Sequence, residues 1–190
     1  MAKPTFVLCV LSLIAGCMIA PPQPYSYAWQ TNSMSLPPGV ILGNTHGCVD
    51  VAHNGDIYLC TDSKPAIFVF DANGVFKKNI GEDLSGGLHG LEIVQEGDTE
   101  YLFVAHTAQH QVQKLSLNGD LLLSVAWPQE SGKYNSADEY APTSVTVLPD
   151  GRFMVADGYG KSWVHIYDAE GNWQSCFGGW GSEAGKFKTP

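Results

Sequence analysis

A recurring unit of short apolar runs, divided by Asp-Gly, Asn-Gly and Glu-Gly turns, leaves this chain few folds to choose from. The unit is clearest from Pro142 to Trp173, PTSVTVLPDGRFMVADGYGKSWVHIYDAEGNW. Val145, Val147 and Leu148 form its first run, and Pro149-Asp150-Gly151 turns it. Phe153 to Val155 form the second run, which leads into Ala156-Asp157-Gly158-Tyr159-Gly160. Trp163, Val164, Ile166 and Tyr167 form the third, closed by Asp168-Ala169-Glu170-Gly171-Asn172. Apolar runs of this length, bounded by such turns, predict antiparallel hairpins.

Two weaker copies lie upstream. One opens at His46-Gly47-Cys48-Val49, turns at Asn54-Gly55, runs through Ile57 to Leu59 and returns through Ile67 to Phe70. The other opens at His89-Gly90-Leu91, turns at Glu96-Gly97-Asp98, runs through Tyr101 to Val104 and returns through Val112 to Leu115. A period of roughly 43 to 53 residues is that of four-stranded propeller blades. A fourth, shorter strand is expected in each copy: Val75 to Lys77, Leu121 to Val125, and Gln174 to Phe177. Ser131 to Tyr140 is the longest insertion between copies and is expected at one mouth of the propeller. No amphipathic helical stretch of useful length interrupts the pattern, which disfavours βαβ architectures. The prediction is all-β: a β-propeller of the six-bladed type, with about three four-stranded blades in residues 43–190. Three blades are too few to close a ring. Phe187-Lys188-Thr189-Pro190 reads as the lead-in to a fourth copy, so the expectation is the amino-terminal half of a six-bladed protein.

Residues 1–20 read as a targeting segment. Lys3 is the one early charge, and Phe6 to Ala15 is an apolar run too short to span a membrane comfortably. Ile14-Ala15-Gly16-Cys17 resembles a bacterial lipobox, which would place a lipid on Cys17; the alternative is an ordinary cleaved secretory signal. Either way the chain is expected to be exported, as a periplasmic, cell-envelope or secreted protein. Residues 21–42 read as a Pro-rich linker; Pro21 to Pro38 holds five prolines and no charged residue. A net charge of −9 without any basic run argues against nucleic acid and against anionic membrane, except through a lipid anchor. Cys9 and Cys17 aside, Cys48, Cys60 and Cys176 remain, with no CxxC spacing. Cys48 and Cys60 could pair in an oxidising compartment, but small buried side chains in neighbouring strands are the favoured reading.

His46 and His89 hold equivalent positions, each followed by glycine and an apolar strand. The start of a blade's innermost strand faces the central channel, so the two imidazoles could converge there. Neutral imidazoles from separate blades are a plausible zinc set; a structural histidine capping a turn is the competing reading. Tyr159, flanked by glycines, could act as general base or acid if a cation lowered its pKa, or it could simply pack. His106 and His110 lie on the corresponding loop of the second copy, where a ligand role is not expected. His53 and His165 read as surface or strand-pairing residues. Asp62 and Asp157 recur on equivalent loops and are expected to bind turn amides.

Pro142-Thr143-Ser144-Val145 resembles the opening of an NHL repeat. Leu88-His89-Gly90-Leu91, His110 to Leu115, and Val155-Ala156-Asp157-Gly158-Tyr159-Gly160-Lys161-Ser162 are similar to peptidyl-α-hydroxyglycine α-amidating lyase and its bacterial propeller relatives. The resemblance spans about His46 to Pro190. It implies a metal-binding, lyase-like NHL propeller that splits a peptidyl-hydroxyglycine into peptide amide and glyoxylate. It further implies that His89 is a zinc ligand, that Tyr159 is the catalytic tyrosine, and that the Leu91 carbonyl binds a structural calcium. The chain departs from that pattern in three ways. The other zinc histidines would lie after Pro190. No arginine falls near Gly43 to His46, where His46 is the candidate to stand in as a polar or metal-binding group. Tyr140 and Gly160 occupy the positions of a disulfide flanking the tyrosine. The competing expectation is a non-catalytic NHL propeller holding a small molecule, peptide, glycan or protein at the channel mouth, and a calcium-dependent hydrolase of the lactonase kind is a third.

Overall fold

The computed structural model describes Ser26, Ala28, residues 34–46 and residues 48–190. The leader expected at residues 1–20, with Cys9 and Cys17, lies outside the described residues, as does half of the linker. Every strand falls in the unit Asn32–Pro190. Three antiparallel sheets follow one another. Blade 1 is β1 (Val49–Val51), β2 (Ile57–Cys60), β3 (Ile67–Phe70) and β4 (Phe76–Ile80). Blade 2 is β5 (Leu88–Glu96), β6 (Thr99–His106), β7 (Gln111–Ser116) and β8 (Leu121–Ala126). Blade 3 is β9 (Ser144–Val147), β10 (Phe153–Ala156), β11 (Trp163–Tyr167) and β12 (Trp173–Gly178). Each sheet is a meander in chain order, the arrangement of a propeller blade. Three single-turn 3₁₀ segments occur among the described residues, two of them inside the 131–140 region or at its edge.

The turn signals set the registers. Asn54-Gly55 pairs Val51 with Ile57, and Asp150-Gly151 pairs Val147 with Phe153. The carboxylates of Asp71 and Asp168 take turn amides, from Asn73 at 2.8 Å and from Asn172 at 2.8 Å. Aspartate folds back on its own chain in this way at turns. A bulge recurs where the third strand meets the fourth, at Val69/Phe70, Lys114/Leu115 and Ile166/Tyr167. Bulges sharpen local twist, so each blade twists outward at the same place.

The fourth strands differ from expectation. β4 has five residues and β12 has six, making each the longest strand of its blade; only β8, with six, is shorter than the two innermost strands of its own sheet, and it equals β7. The outermost strand is half solvated, as in β4 with its half-buried and exposed positions. Lys78, Asn79 and Ile80 therefore extend the ladder beyond the expected end at Lys77.

The core lies between the blades. Tyr58, Cys60, Ile67 and Val69 of blade 1 pack on Leu102 and Val104 of blade 2. Phe103 of blade 2 meets Phe153 of blade 3 at 5.6 Å between ring centres, and Phe153 stacks on Tyr167 at 5.1 Å. Full burial of side chains of this size contributes roughly 1.5–3 kcal/mol each. The innermost strands are also joined by acids. Asp50 of β1 accepts the Ile93 amide of β5 at 2.8 Å. Glu92 of β5 faces the Thr146 hydroxyl and Val147 amide of β9, which partly offset the burial that raises its pKa.

Cys48 and Cys60 are disulfide-bonded, with Cα atoms 5.4 Å apart. Both are buried, as expected, but the favoured reading of separate thiols is corrected. The cause is geometric: Cys60 N–H donates to Cys48 O at 3.0 Å, so the β1–β2 ladder sets the two side chains against each other. Ser35 forms a bridge to Val75, its amide donating to Gly74 O at 2.9 Å, so this part of the Pro-rich stretch lies along the β3–β4 turn.

Candidate functional site

His89 sits at the bulge between Leu88 and Gly90, where β5 slips register against β6. A bulge of this kind re-aims a side chain out of the ladder. Its glycine neighbour has a steric reason: a Cβ on Gly90 would lie 2.7 Å from Thr143 O and 2.9 Å from Ser144 Cα. Gly90 thus admits the lead-in to blade 3, and Thr143 O comes within 2.9 Å of His89 Nδ1. A carbonyl can only accept, so Nδ1 carries the ring proton and Nε2 presents a lone pair. That lone pair faces Tyr159 Oη at 3.0 Å.

Tyr159 approaches from blade 3, on the loop between β10 and β11. Its amide donates to Ala141 O at 3.3 Å, and its ring stands edge-on to His89, 4.8 Å between centres. The side chain is 61% exposed, so the hydroxyl is open to a ligand. His46 comes from blade 1 and stacks on the other side of His89, 4.8 Å between ring centres and 25° between planes. Its φ of 43° is in the left-handed region, which costs a non-glycine residue on the order of 1 kcal/mol and tends to mark functional positions. Asp62 lies 3.9 Å from His46 Nε2.

Blades 1, 2 and 3 therefore each send one expected site residue, His46, His89 and Tyr159, to a common point. Leu91 lies two residues along β5, half buried against the blade 1–blade 2 core and paired with Val104. His106 and His110 do not join the site. His106 is buried on Leu84 O at 3.1 Å, and His110 Nδ1 lies against Tyr140 O. His53 is at the surface, its amide on Glu100. Among the described residues no group of three His, Cys, Asp or Glu is placed to hold a metal ion. His89 Nε2 has the orientation of a metal ligand, with a carbonyl fixing the opposite nitrogen, but a catalytic zinc takes about three protein ligands. The described residues alone do not complete such a set.

The loop aspartates bind amides as expected: Asp62 takes Asn44 N at 2.8 Å, and Asp157 takes Ala141 N at 2.8 Å. Asp157 goes further, because it is fully buried and also accepts from Tyr134 Oη at 2.8 Å and Lys161 N at 2.6 Å. His165 takes the strand-pairing alternative, opposite Val155 and Cys176, and not the surface one. It is fully buried, between Tyr134 Oη at 2.7 Å and Trp173 Nε1 at 3.1 Å. Burial lowers its pKa to about 4. Burial first, then the Asp157 charge, pushes the Tyr134 phenol far up. Thr143 and Tyr134 escaped the sequence reading. Tyr134 and Tyr140 are aromatic residues in an otherwise polar insertion, and that was the signal available for them.

No family model matches the chain. A curated Caenorhabditis elegans protein, described as a probable peptidyl-alpha-hydroxyglycine alpha-amidating lyase, is 32% identical over 101 residues. The match covers 50% of this chain and 28% of the worm protein. Among solved structures, a Bacteroides caccae protein of unknown function has a TM-score of 0.50 at 17% identity, covering 75% of this chain and 48% of its own. Kuenenia stuttgartiensis hydrazine synthase has a TM-score of 0.51 at 10% identity, covering 75% of this chain and 39% of its own. Identities this low speak to fold alone. The sequence relative bears out the resemblance that the His-Gly and Asp-Gly-Tyr strings carry.

Proposed function

We propose that this chain provides part of an exported, lyase-like propeller acting on a peptidyl-hydroxyglycine or a similar small hydroxy-amide at the channel mouth. The observation that carries the reading is the Thr143 O–His89–Tyr159 chain: an oriented imidazole whose free nitrogen faces an exposed phenol across two blades. An acid or base within hydrogen-bond reach of a second, oriented group is the geometry of proton transfer. In this reading Tyr159 Oη takes the substrate's proton as the phenolate that a nearby cation would favour, and the His89 ring, held by Thr143, stands edge-on beside it. Zinc would supply Lewis acidity to the substrate's oxygen when bound. His89 Nε2 would be its ligand from this chain, giving the metal the lone pair that otherwise accepts the Tyr159 hydroxyl; His46 is the neighbouring candidate, and the Leu91 carbonyl is a candidate calcium ligand. Export is supported by the Cys48–Cys60 bond, since disulfides persist in oxidising compartments. A lipid on Cys17 would then be the one membrane contact.

Release of glyoxylate from a hydroxyglycine peptide, with zinc supplied, tests the reading. Tyr159→Phe and His89→Ala should each lower the rate by about 100-fold or more. Unchanged rates in both variants remove the assigned roles. The second reading, a non-catalytic propeller holding a peptide, glycan or protein, is favoured by one observation. Arg152 is the sole arginine of the chain and is paired with Asp150 in the β9–β10 turn. Peptide binding without glyoxylate release would establish that alternative.

A further inference from the structure

The loop that presents Tyr159 is held from beneath by a buried polar chain. Trp173 Nε1–H donates to His165 Nδ1 at 3.1 Å. That leaves the ring proton on Nε2, which donates to Tyr134 Oη at 2.7 Å. The Tyr134 proton then goes to Asp157 Oδ2 at 2.8 Å. Each donor has one acceptor, so the chain runs in a single direction and ends on the carboxylate two residues before Tyr159. The same carboxylate closes the loop on itself. Asp157 Oδ2 accepts the Lys161 amide at 2.6 Å, and Oδ1 accepts the Ala141 amide at 2.8 Å. Tyr159 N donates to Ala141 O, so residue 141 is gripped from both sides. Outside the core, Lys161 Nζ bonds Glu139 and the Lys133 carbonyl, which ties the far end of the loop to the 131–140 insertion. The glycine at 160 follows from this arrangement. A Cβ there would run into both Asp157 carboxylate oxygens and the Glu139 carbonyl.

We propose that Asp157 is the positioning residue of the site: through Tyr134, Ala141 and Lys161 it holds the Tyr159 loop so that the phenol meets His89. The insertion between blades 2 and 3 is then a working part of the site, since it supplies Tyr134 and Glu139. Asp157 and Tyr134 touch no ligand; they act through the loop. The inference rests on reading Tyr159 and His89 as the working pair, but its test needs no turnover.

Full-length protein carrying 3-fluorotyrosine gives one ¹⁹F line for each tyrosine, and the Tyr159 line is assigned by its disappearance in Tyr159→Phe. In the wild-type background, His89→Gln should shift that line, because it removes the ring beside the fluorinated phenol. In the Asp157→Asn and Tyr134→Phe backgrounds the shift caused by His89→Gln should vanish. The Tyr58 line, from blade 1, should stay where it is in every variant. Tyr134→Phe keeps its ring against Tyr140 and decides the matter if Asp157→Asn does not fold. A His89→Gln shift as large in these backgrounds as in the wild type overturns the proposal. Absence of glyoxylate release from the zinc-supplied wild type, with its spectral coupling intact, would sink the lyase reading and leave the positioning role standing.

Discussion

Blades 1 and 3 send their residues to the channel mouth on similar loops, anchored in different ways. In both, a loop aspartate accepts the amide of the segment that leads into the innermost strand: Asp62 from Asn44, and Asp157 from Ala141, each at 2.8 Å. In blade 1 that carboxylate is a third exposed, and Asn44 also donates its side-chain amide. The Asn44 side chain, more than any other group, holds the Asp62 pKa below the usual carboxylate range. The stiffness there comes from Cys48–Cys60, two residues beyond His46 and two before Asp62. Blade 3 has no disulfide among its described residues and instead buries the carboxylate in a chain of tyrosine, histidine and tryptophan. One loop design can therefore be fixed covalently or by polar burial. The polar version is the less forgiving, because an unpaired buried donor keeps its whole desolvation cost.

The largest expected effect is at Asp157. Asp157→Ala leaves a phenol and two amides without their acceptor and should destabilise the protein by about 3 kcal/mol or more. Asp62→Ala, at a carboxylate that keeps a third of its surface in water, should lower the thermal midpoint far less; equal losses at the two positions would end the distinction. The next effect is that of pH. His165 has a folded pKa of about 4, depressed from about 6.5, so the unfolded chain binds this proton first. Its contribution is complete above about pH 6.5 and is lost progressively down to pH 4, by about 3 kcal/mol in all. Denaturant titrations between pH 7 and pH 4 should show that fall in the wild type and a flatter profile in His165→Gln. Breaking the disulfide comes third. It closes a separation of 12 residues, and Cys48→Ser with Cys60→Ser should cost about 2–3 kcal/mol. The loss should reach the His46 loop and leave the ¹⁹F coupling of Tyr159 to His89 in place. The smallest effect is expected at Glu139, held down to about pKa 2 chiefly by the Lys161 hydrogen bond and with a third of its side chain in water. Glu139→Gln should loosen the loop without a measurable change in midpoint. A large drop there would mean that the exposed half of the clamp, rather than the buried half, holds blade 3.

The three blades were legible because turn dipeptides and apolar runs are local signals, and propeller blades are meanders made of local pairings. The outer strands were underestimated for the same reason: Lys77-Lys78-Asn79 carries no apolar pattern, although Lys78 and Asn79 pair with Val69 and Phe68. His46, His89 and Tyr159 could be singled out because repeat alignment predicts which loops share one end of a propeller. The Cys48–Cys60 bond and the depth of His165 could not be read so directly. Each depends on which face of a strand meets a partner far along the chain, and Tyr134, 31 residues from His165, comes from an insertion with no repeat to align it. The glycine after His89 was visible as a string, while its cause, the Thr143 carbonyl pressed against it, was not.

Asp50 of β1 reaches forward to a backbone amide of β5, and Glu92, at the matching place in blade 2, faces the amide of Val147 in β9. The connector is a side chain carried by the earlier unit, while its socket is a peptide group that any residue but proline offers. At this contact one unit can therefore follow another without a matching side chain in the successor, while the apolar faces between the blades must still fit. The successor's side chains at the socket are free to drift in sequence. The 17% and 10% identities that accompany a shared fold are what such freedom permits.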